Sequence, residues 1–149
     1  MERIALQPDF KEFLRLLIYH EVEYLLVGGY AVGFHGYPRA TGDLDIWIAT
    51  REANAVKIAL ALRDFGMPER ETTKDLFIKK DKIIRMGNPP VRIEVITGVS
   101  GVNFDECYVR RKVVDADGIA VNIISLEDLK RNKRAAGRNK DLDDLQNLP

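Results

Sequence analysis

Asp43 and Asp45 are the residues of this chain whose types and spacing point most directly to chemistry. Side chains at i and i+2 of a strand project from the same face, so these carboxylates lie together while alternate apolar residues enter the core, namely Leu44, Ile46 and Ile48. Neighbouring carboxylates repel each other and are costly to desolvate. Mg²⁺ relieves both costs because it takes carboxylate oxygens together with substrate phosphates. The alternative is that both aspartates lie at an exposed strand start and cap the turn after Thr41-Gly42.

A third carboxylate, Glu94, lies in the middle of another strand-like segment, Val91–Ile96. If this strand neighbours the one that carries Asp43 and Asp45, three carboxylates converge on one open face of the sheet. Such a cluster can hold two metal ions about 3.5–4 Å apart, an arrangement that promotes in-line phosphoryl transfer. The alternative is that Glu94 pairs with a basic residue such as Arg92 on an exposed face.

A glycine pair, Gly28-Gly29, follows the apolar run Tyr24–Val27 at a predicted strand-to-helix turn. Glycines at such a turn let a phosphate approach the backbone, and the free N–H groups of the following helix attract anions. The alternative is an ordinary tight turn.

Basic side chains are concentrated near these segments. Arg39 lies between the glycine pair and the aspartates, either within reach of a bound triphosphate or simply on the surface. His35 is expected to form a local hydrogen bond rather than act as a base or ligand. The C-terminal tail carries six basic residues, which either neutralise nucleotide or RNA phosphates or form a solvated face paired with nearby aspartates: Lys130, Arg131, Lys133, Arg134, Arg138 and Lys140.

Two segments resemble a known family. Residues 28–46, GGYAVGFHGYPRATGDLDI, resemble the signature of the DNA polymerase β-type nucleotidyltransferase superfamily, and more narrowly its minimal bacterial branch of AbiEii toxin-like and MNT-like proteins. The tail KRAAGRNKDLDDL, residues 133–145, is similar to the C-terminal helical motif of that branch. The resemblance implies a mixed sheet with flanking helices and a short C-terminal helical tail. It also implies Gly28 and Gly29 against the nucleotide phosphates, and it favours Lys133 and Arg138 as nucleotide-binding residues.

The resemblance further implies a reaction and its partners. Asp43, Asp45 and Glu94 would be the catalytic ligands of Mg²⁺ at a two-metal site, with Mn²⁺ as a substitute. A nucleoside monophosphate would move from an NTP to a hydroxyl of RNA, such as a tRNA end, or of a protein, in a toxin–antitoxin or phage-defence pair. Two departures are that many relatives have Gly-Ser at Gly28-Gly29 and Asp at Glu94. The alternatives are an antitoxin-like enzyme that adds AMP to a partner toxin and a non-catalytic nucleotide- or partner-binding module.

The elements that must position these residues mix helix and strand. Helices are predicted from Pro8, over Ala31–His35 and Glu52–Phe65, and in two segments separated near Gly137. Apolar spacing predicts two buried helical faces, one with Phe10, Phe13, Leu14, Leu17 and Ile18 and one with Ala53, Val56, Ala59 and Leu60. Strands are predicted at Tyr24–Val27, Asp43–Ala49, Leu76–Ile78, Ile83–Met86, Val91–Ile96, Tyr108–Val114 and Ile119–Ile124, the last two joined by an Asp117-Gly118 hairpin turn.

Length and composition limit the class of protein. The 149 residues predict a single domain over 1–149, with a core of about 22–124 and a C-terminal helical segment of about 125–148. The 23 basic and 23 acidic side chains give zero net charge, which argues against non-specific coating of nucleic acid. The single cysteine, Cys107, excludes an intramolecular disulfide. We expect a cytoplasmic protein, because neither a signal peptide nor an apolar run long enough to cross a membrane is present.

Overall fold

The computed structural model describes residues 6–88 and 91–149, which form six helices, six strands and two short 3₁₀ helices. The helices are α1 Pro8–Tyr19, α2 Gly28–Phe34, α3 Glu52–Phe65, α4 Phe104–Val109, α5 Leu126–Ala136 and α6 Asn139–Asn147. The strands are β1 Tyr24–Val27, β2 Asp43–Ile48, β3 Ile83–Asn88, β4 Val91–Ile96, β5 Lys112–Ala116 and β6 Ile119–Ile123. The 3₁₀ helices lie at Glu69–Glu71 and Lys74–Phe77.

The described strands form one mixed sheet in the order β3-β4-β2-β1-β6-β5. β2 runs parallel to β4 and antiparallel to β1, and β1 runs parallel to β6. The two outer pairs, β3 with β4 and β5 with β6, are antiparallel. The sequence expectation of a mixed sheet with flanking helices and a C-terminal helical tail is therefore confirmed.

The N-terminal helix buries four of the five residues predicted for its inner face. Phe10, Phe13, Leu14 and Leu17 are fully buried, whereas Ile18 is 45% exposed. The helix ends one residue later, at Tyr19, so Ile18 lies in the last turn.

The inner face of α3 differs from the predicted one. Ala59 is buried as expected, but Ala53, Val56 and Leu60 are exposed. The buried positions include Asn54, whose amide accepts a hydrogen bond from the Glu23 backbone N–H at 2.8 Å and donates one to the Ala49 carbonyl at 2.8 Å. These bonds fix the rotation of a helix that is apolar on several sides.

Two strand predictions are wrong, and one predicted helix is present with different bounds. Leu76–Ile78 is not a strand, because Lys74–Phe77 forms a 3₁₀ helix that buries Phe77. The short helix expected at Ala31–His35 begins earlier, at Gly28. These apolar runs are too short for periodicity alone to separate strand from helix.

The segment expected as a strand from Tyr108 divides between a helix and a strand. The Asn103 side chain caps α4 by accepting from the Glu106 backbone N–H at 3.2 Å, and Tyr108 stacks on Phe104 within that helix. The edge strand begins only at Lys112, and the hairpin at Asp117-Gly118 is present as predicted.

The C-terminal helices are bounded as the sequence indicates. Ser125 caps α5 by accepting from the Asp128 backbone N–H at 3.2 Å. Gly137 ends α5 in the left-handed conformation, with φ +63°. The sequence Asn88-Pro89-Pro90 predicts a turn between two strands, and it lies partly outside the described residues.

Across residues 6–88 and 91–149, no helix combines the length and apolarity needed to cross a membrane.

Candidate functional site

Three carboxylates lie side by side on neighbouring strands. In the parallel pairing of β2 with β4, Asp43 lies opposite Arg92 and Asp45 lies opposite Glu94. The residues between the aspartates and after them are fully buried, since Leu44, Ile46 and Ile48 are 0% exposed. The alternation of side chains therefore places Asp43, Asp45 and Glu94 on one face.

Gly28 allows the backbone to approach Asp45. Its φ is +68°, and a Cβ at this position would overlap the Asp45 carboxylate. A Cβ at Gly29 would overlap the Thr41 hydroxyl. Both glycines therefore have a packing role. Gly28 also lines the cleft described below, whereas Gly29 is buried and is not among the described residues of that lining.

The carboxyl of Asp45 has a raised pKa. Burial, followed by the charges of Glu94 and Asp43, raises the pKa of Asp45 to about 7. Its Oδ1 atom is buried and has no hydrogen-bond partner. A buried carboxylate oxygen without a partner is costly, so this atom has capacity for a proton or a cation.

Two arginines contact these carboxylates, and the sequence analysis named one of them, Arg92, as the partner of Glu94 in the alternative to a metal site. Arg92 forms a bidentate pair with Asp43, with Nε 3.2 Å from Oδ1 and Nη2 2.9 Å from Oδ2. Its Nη2 also lies 3.4 Å from Glu94 Oε1, and Arg85 Nε lies 3.2 Å from the same oxygen. The contact of Arg92 with Glu94 is the one that the alternative expected, whereas its pairing with Asp43 follows from the register of β2 with β4 and was not expected.

The predicted basic residues of the tail form ion pairs with α6. Lys133 is 4% exposed, and its Nζ lies 3.3 Å from Asp141 Oδ1 and 3.0 Å from Asp144 Oδ2. Arg138 Nε lies 2.7 Å from Asp141 Oδ2. The pairing of the tail with nearby aspartates is therefore present, but it is not solvated here, because Lys133, Asp141 and Asp144 are buried. Both basic residues also line the cleft described below.

Arg39 and His35 lie apart from the carboxylates. Arg39 forms a bidentate pair with Asp144, at 2.8 and 3.0 Å, and is not among the described residues that line the cleft. His35 Nε2 donates to the carbonyl of Ile124 at 2.7 Å, and burial lowers its pKa. This bond links the end of α2 to the end of β6 and is therefore distant in sequence, where a local one was expected.

The three carboxylates line a cleft of about 630 Å³ whose opposite side comes from α5 and the segment that leads into α6. In the part of the chain that the structure describes, its charged lining consists of Asp43, Asp45, Glu94, Arg85, Arg92, Lys133, Arg138 and Lys140. Basic side chains outnumber carboxylates, and the glycine turn contributes Gly28 to the wall. Such a cleft suits a polyanionic ligand bound together with a cation.

The three carboxylates are the type of ligand that a hard divalent cation binds, but their present side-chain positions do not form a metal site. Carboxylate oxygens are the protein ligands that Mg²⁺ prefers, and the buried Oδ1 of Asp45 has no partner. As the side chains stand, no group of three or more His, Cys, Asp or Glu within residues 6–88 and 91–149 could hold a metal ion. The Arg92 guanidinium is hydrogen-bonded to both oxygens of Asp43 and lies 3.4 Å from Glu94 Oε1, so it occupies oxygens that such an ion would use.

Comparisons by sequence and by structure give different results. No protein-family model and no curated protein matches the chain. By structure, 92% of the chain matches 88% of a candidate nucleotidyltransferase from Thermotoga maritima, with a TM-score of 0.62 and 16% identity. It also matches an antigenic nucleotidyltransferase-like protein from Paracoccidioides brasiliensis over 93% of this chain and 73% of that one, with a TM-score of 0.55 and 16% identity. The chain therefore has the fold of these two nucleotidyltransferase-like structures.

Proposed function

We propose that this protein is a Mg²⁺-dependent nucleotidyltransferase that moves a nucleoside monophosphate from an NTP to a hydroxyl group of RNA or protein. The observation that carries the proposal is the unpartnered, buried Oδ1 of Asp45, beside Asp43 and Glu94 in a cleft rich in basic side chains. In a fold shared with nucleotidyltransferase-like structures, that combination suits a triphosphate held with a divalent cation.

The roles that we assign to the residues follow their positions. Asp43, Asp45 and Glu94 would hold Mg²⁺, which when bound neutralises triphosphate charge and makes the attacking alkoxide easier to form. Gly28 would let the phosphates approach the backbone while Gly29 packs against Thr41, and Glu94 would also orient the acceptor hydroxyl. Lys133 and Arg138 contribute positive charge to the cleft wall while remaining bonded to α6, and Arg39 supports that wall through Asp144.

The proposed transfer is a single displacement at the α-phosphorus of the NTP. The acceptor oxygen forms a bond to the α-phosphorus, the bond from that phosphorus to the bridging oxygen of the β-phosphate breaks, and pyrophosphate leaves. During the attack the proton of the acceptor hydroxyl passes to the carboxylate of Glu94 and from there to solvent.

The biological setting that we propose rests on the sequence resemblance. Motifs similar to those of AbiEii toxin-like and MNT-like proteins favour a toxin–antitoxin or phage-defence component, with a cognate partner and a cytoplasmic location. Addition of AMP to a partner toxin is the form of protein modification that this resemblance favours, and a tRNA-like end is the corresponding RNA acceptor.

The proposal is tested by incubating the protein with Mg²⁺ and each α-³²P-labelled NTP, with total bacterial RNA or lysate protein as acceptor. We expect label in one acceptor fraction and a loss of about 10²-fold or more in Asp45→Asn, because an electrostatic contributor to the transition state is removed. Asp115→Asn is the matched control, since Asp115 is an exposed carboxylate on β5, the opposite edge of the sheet from β3.

The outcomes separate the candidate functions. Equal labelling by Asp45→Asn and the wild type would contradict the proposal. The pairing of Arg92 with two of the carboxylates favours a second candidate, a non-catalytic nucleotide-binding module. NTP binding without release of pyrophosphate, with every acceptor and NTP, would support that module instead.

A further inference from the structure

Arg92 is placed differently from every other basic residue described in the cleft. Its guanidinium donates hydrogen bonds to both oxygens of Asp43, at 3.2 and 2.9 Å, and also lies 3.4 Å from Glu94 Oε1. One cationic group thus joins two of the three carboxylates. Its side chain is 30% exposed and lines the cleft.

Arg85 provides an internal comparison. It lies opposite Glu94 on β3, and its Nε is 3.2 Å from Glu94 Oε1. Its side chain is 55% exposed, and its ion pair is with this one carboxylate. Arg85 therefore shares the charge of Arg92 and one of its partners, but it does not bridge two carboxylates.

The position of Arg92 conflicts with direct binding of a cation. A guanidinium stays protonated in proteins and uses a rigid fork of N–H donors to occupy carboxylate lone pairs. A divalent cation needs the same lone pairs. The guanidinium and a divalent cation therefore compete for the oxygens of Asp43 and Glu94, and the cation must displace the guanidinium to bind them.

We propose that Arg92 is a place-holding cation that neutralises Asp43 and Glu94 in the ligand-free protein and must leave them before a divalent cation binds. The proposal rests on the proposed function, because it takes these carboxylates as the metal ligands. Arg92 is thus a positioning residue that acts through Asp43 and Glu94. It keeps the carboxylates paired when the site is free, and it lowers the affinity for metal alone.

The experiment measures binding of Mn²⁺ alone, by electron paramagnetic resonance of the free ion, to wild-type protein and to Arg92→Gln. We expect Arg92→Gln to bind Mn²⁺ about 10-fold more tightly, within the usual range for two competing or coupled sites. Arg92→Lys keeps the charge but loses the fork, so its affinity should lie between the two. Arg85→Gln is the matched control and should change affinity much less.

A second readout uses stability. Without metal, Arg92→Gln should unfold at a lower temperature than the wild type because two carboxylates lose their shared partner. Saturating Mn²⁺ should raise its unfolding temperature more than that of the wild type, because tighter binding to the native state stabilises it more. This comparison remains informative if the variant is only marginally folded at the outset.

Failure of this inference is distinguishable from failure of the proposed function. If Asp45→Asn loses Mn²⁺ binding while Arg92→Gln binds as the wild type does, the site stands and the place-holding role is wrong. An Arg85→Gln gain equal to that of Arg92→Gln would also overturn the role, since any nearby positive charge would then suffice. If Asp45→Asn binds Mn²⁺ unchanged, the ion lies elsewhere and the metal site of the proposed function fails.

Discussion

Among single residues, Gly28 sets how closely the backbone can approach the carboxylate of Asp45. Its φ of +68° is a conformation that side-chain-bearing residues rarely adopt, and a Cβ would overlap the Asp45 carboxylate. Two separate costs therefore oppose any substitution, namely backbone strain and displacement of a site residue.

We expect Gly28→Ala to lower the free energy of unfolding by about 2–4 kcal/mol, the sum of backbone strain and the steric overlap. Gly118→Ala is the matched control, because Gly118 has φ +85° and open space around it. That control should lose only the strain cost, roughly 1 kcal/mol. Urea unfolding of both variants measures the difference, and equal losses would mean that Asp45 yields without cost.

Among the elements, α6 is attached to the rest of the molecule by buried charges. Lys133 on α5 contacts Asp141 and Asp144, which are 0% and 1% exposed. Asp144 also receives the two hydrogen bonds of Arg39, from the segment between α2 and β2. The basic residues of the tail thus join α5, α6 and the approach to the carboxylate strand.

Lys133→Met should destabilise the protein by about 3–5 kcal/mol, because it removes the buried partner of two buried carboxylates. Arg134→Met on the same helix is the control, since Arg134 is exposed and should change stability by less than about 0.5 kcal/mol. Thermal unfolding measures both. A loss in Lys133→Met no greater than that in Arg134→Met would show that the two aspartates are adequately held by arginine alone.

For the whole molecule, the pKa values of three buried aspartates and of Asp45 are shifted in opposite directions. Burial acts to raise the pKa values of Asp128, Asp141 and Asp144, but hydrogen bonds from arginine and lysine outweigh it and lower them. Their stabilising contribution is present above the unfolded-state pKa of about 3.9 and is lost as pH falls through the lowered values. Asp45 is the reverse case, because its pKa is raised to about 7.

We therefore expect metal-free protein to lose stability on both sides of a mildly acidic optimum. Below about pH 4, protonation of the paired aspartates weakens the native state. Between about pH 4 and 7 the native state binds an extra proton at Asp45, so stability also falls as pH rises through this window. Urea unfolding in EDTA at pH 3, 5 and 8 measures both effects.

Asp45→Asn separates the two effects. The variant should retain the acid loss and lack most of the decline from pH 5 to 8, because it has no carboxyl to ionise at that position. An unchanged decline in this variant would assign it to another group.

The sequence by itself determined the local chemistry of the site. Alternation within β2 placed Asp43 and Asp45 on one face and three apolar residues in the core, because the two-residue period of a strand is a local property. The hairpin at Asp117-Gly118 and the bounds of α5 were also predictable from the sequence, because turn and capping residues act over a few positions.

Only the tertiary structure decided the contacts between residues that are far apart in the sequence. The parallel pairing that puts Glu94 beside Asp45 joins strands far apart in the chain, and the sequence reached it only through the family resemblance. Apolar spacing alone did not identify the buried side of α3, because the helix is apolar on several sides. The hydrogen bonds of Asn54 to Glu23 and Ala49 accompany the side that is buried. The pairing of Arg92 with Asp43, and of Lys133 with α6, also depends on contacts between elements. Charge pairing acts through space, so the partner of each basic residue follows from the folded arrangement of the chain.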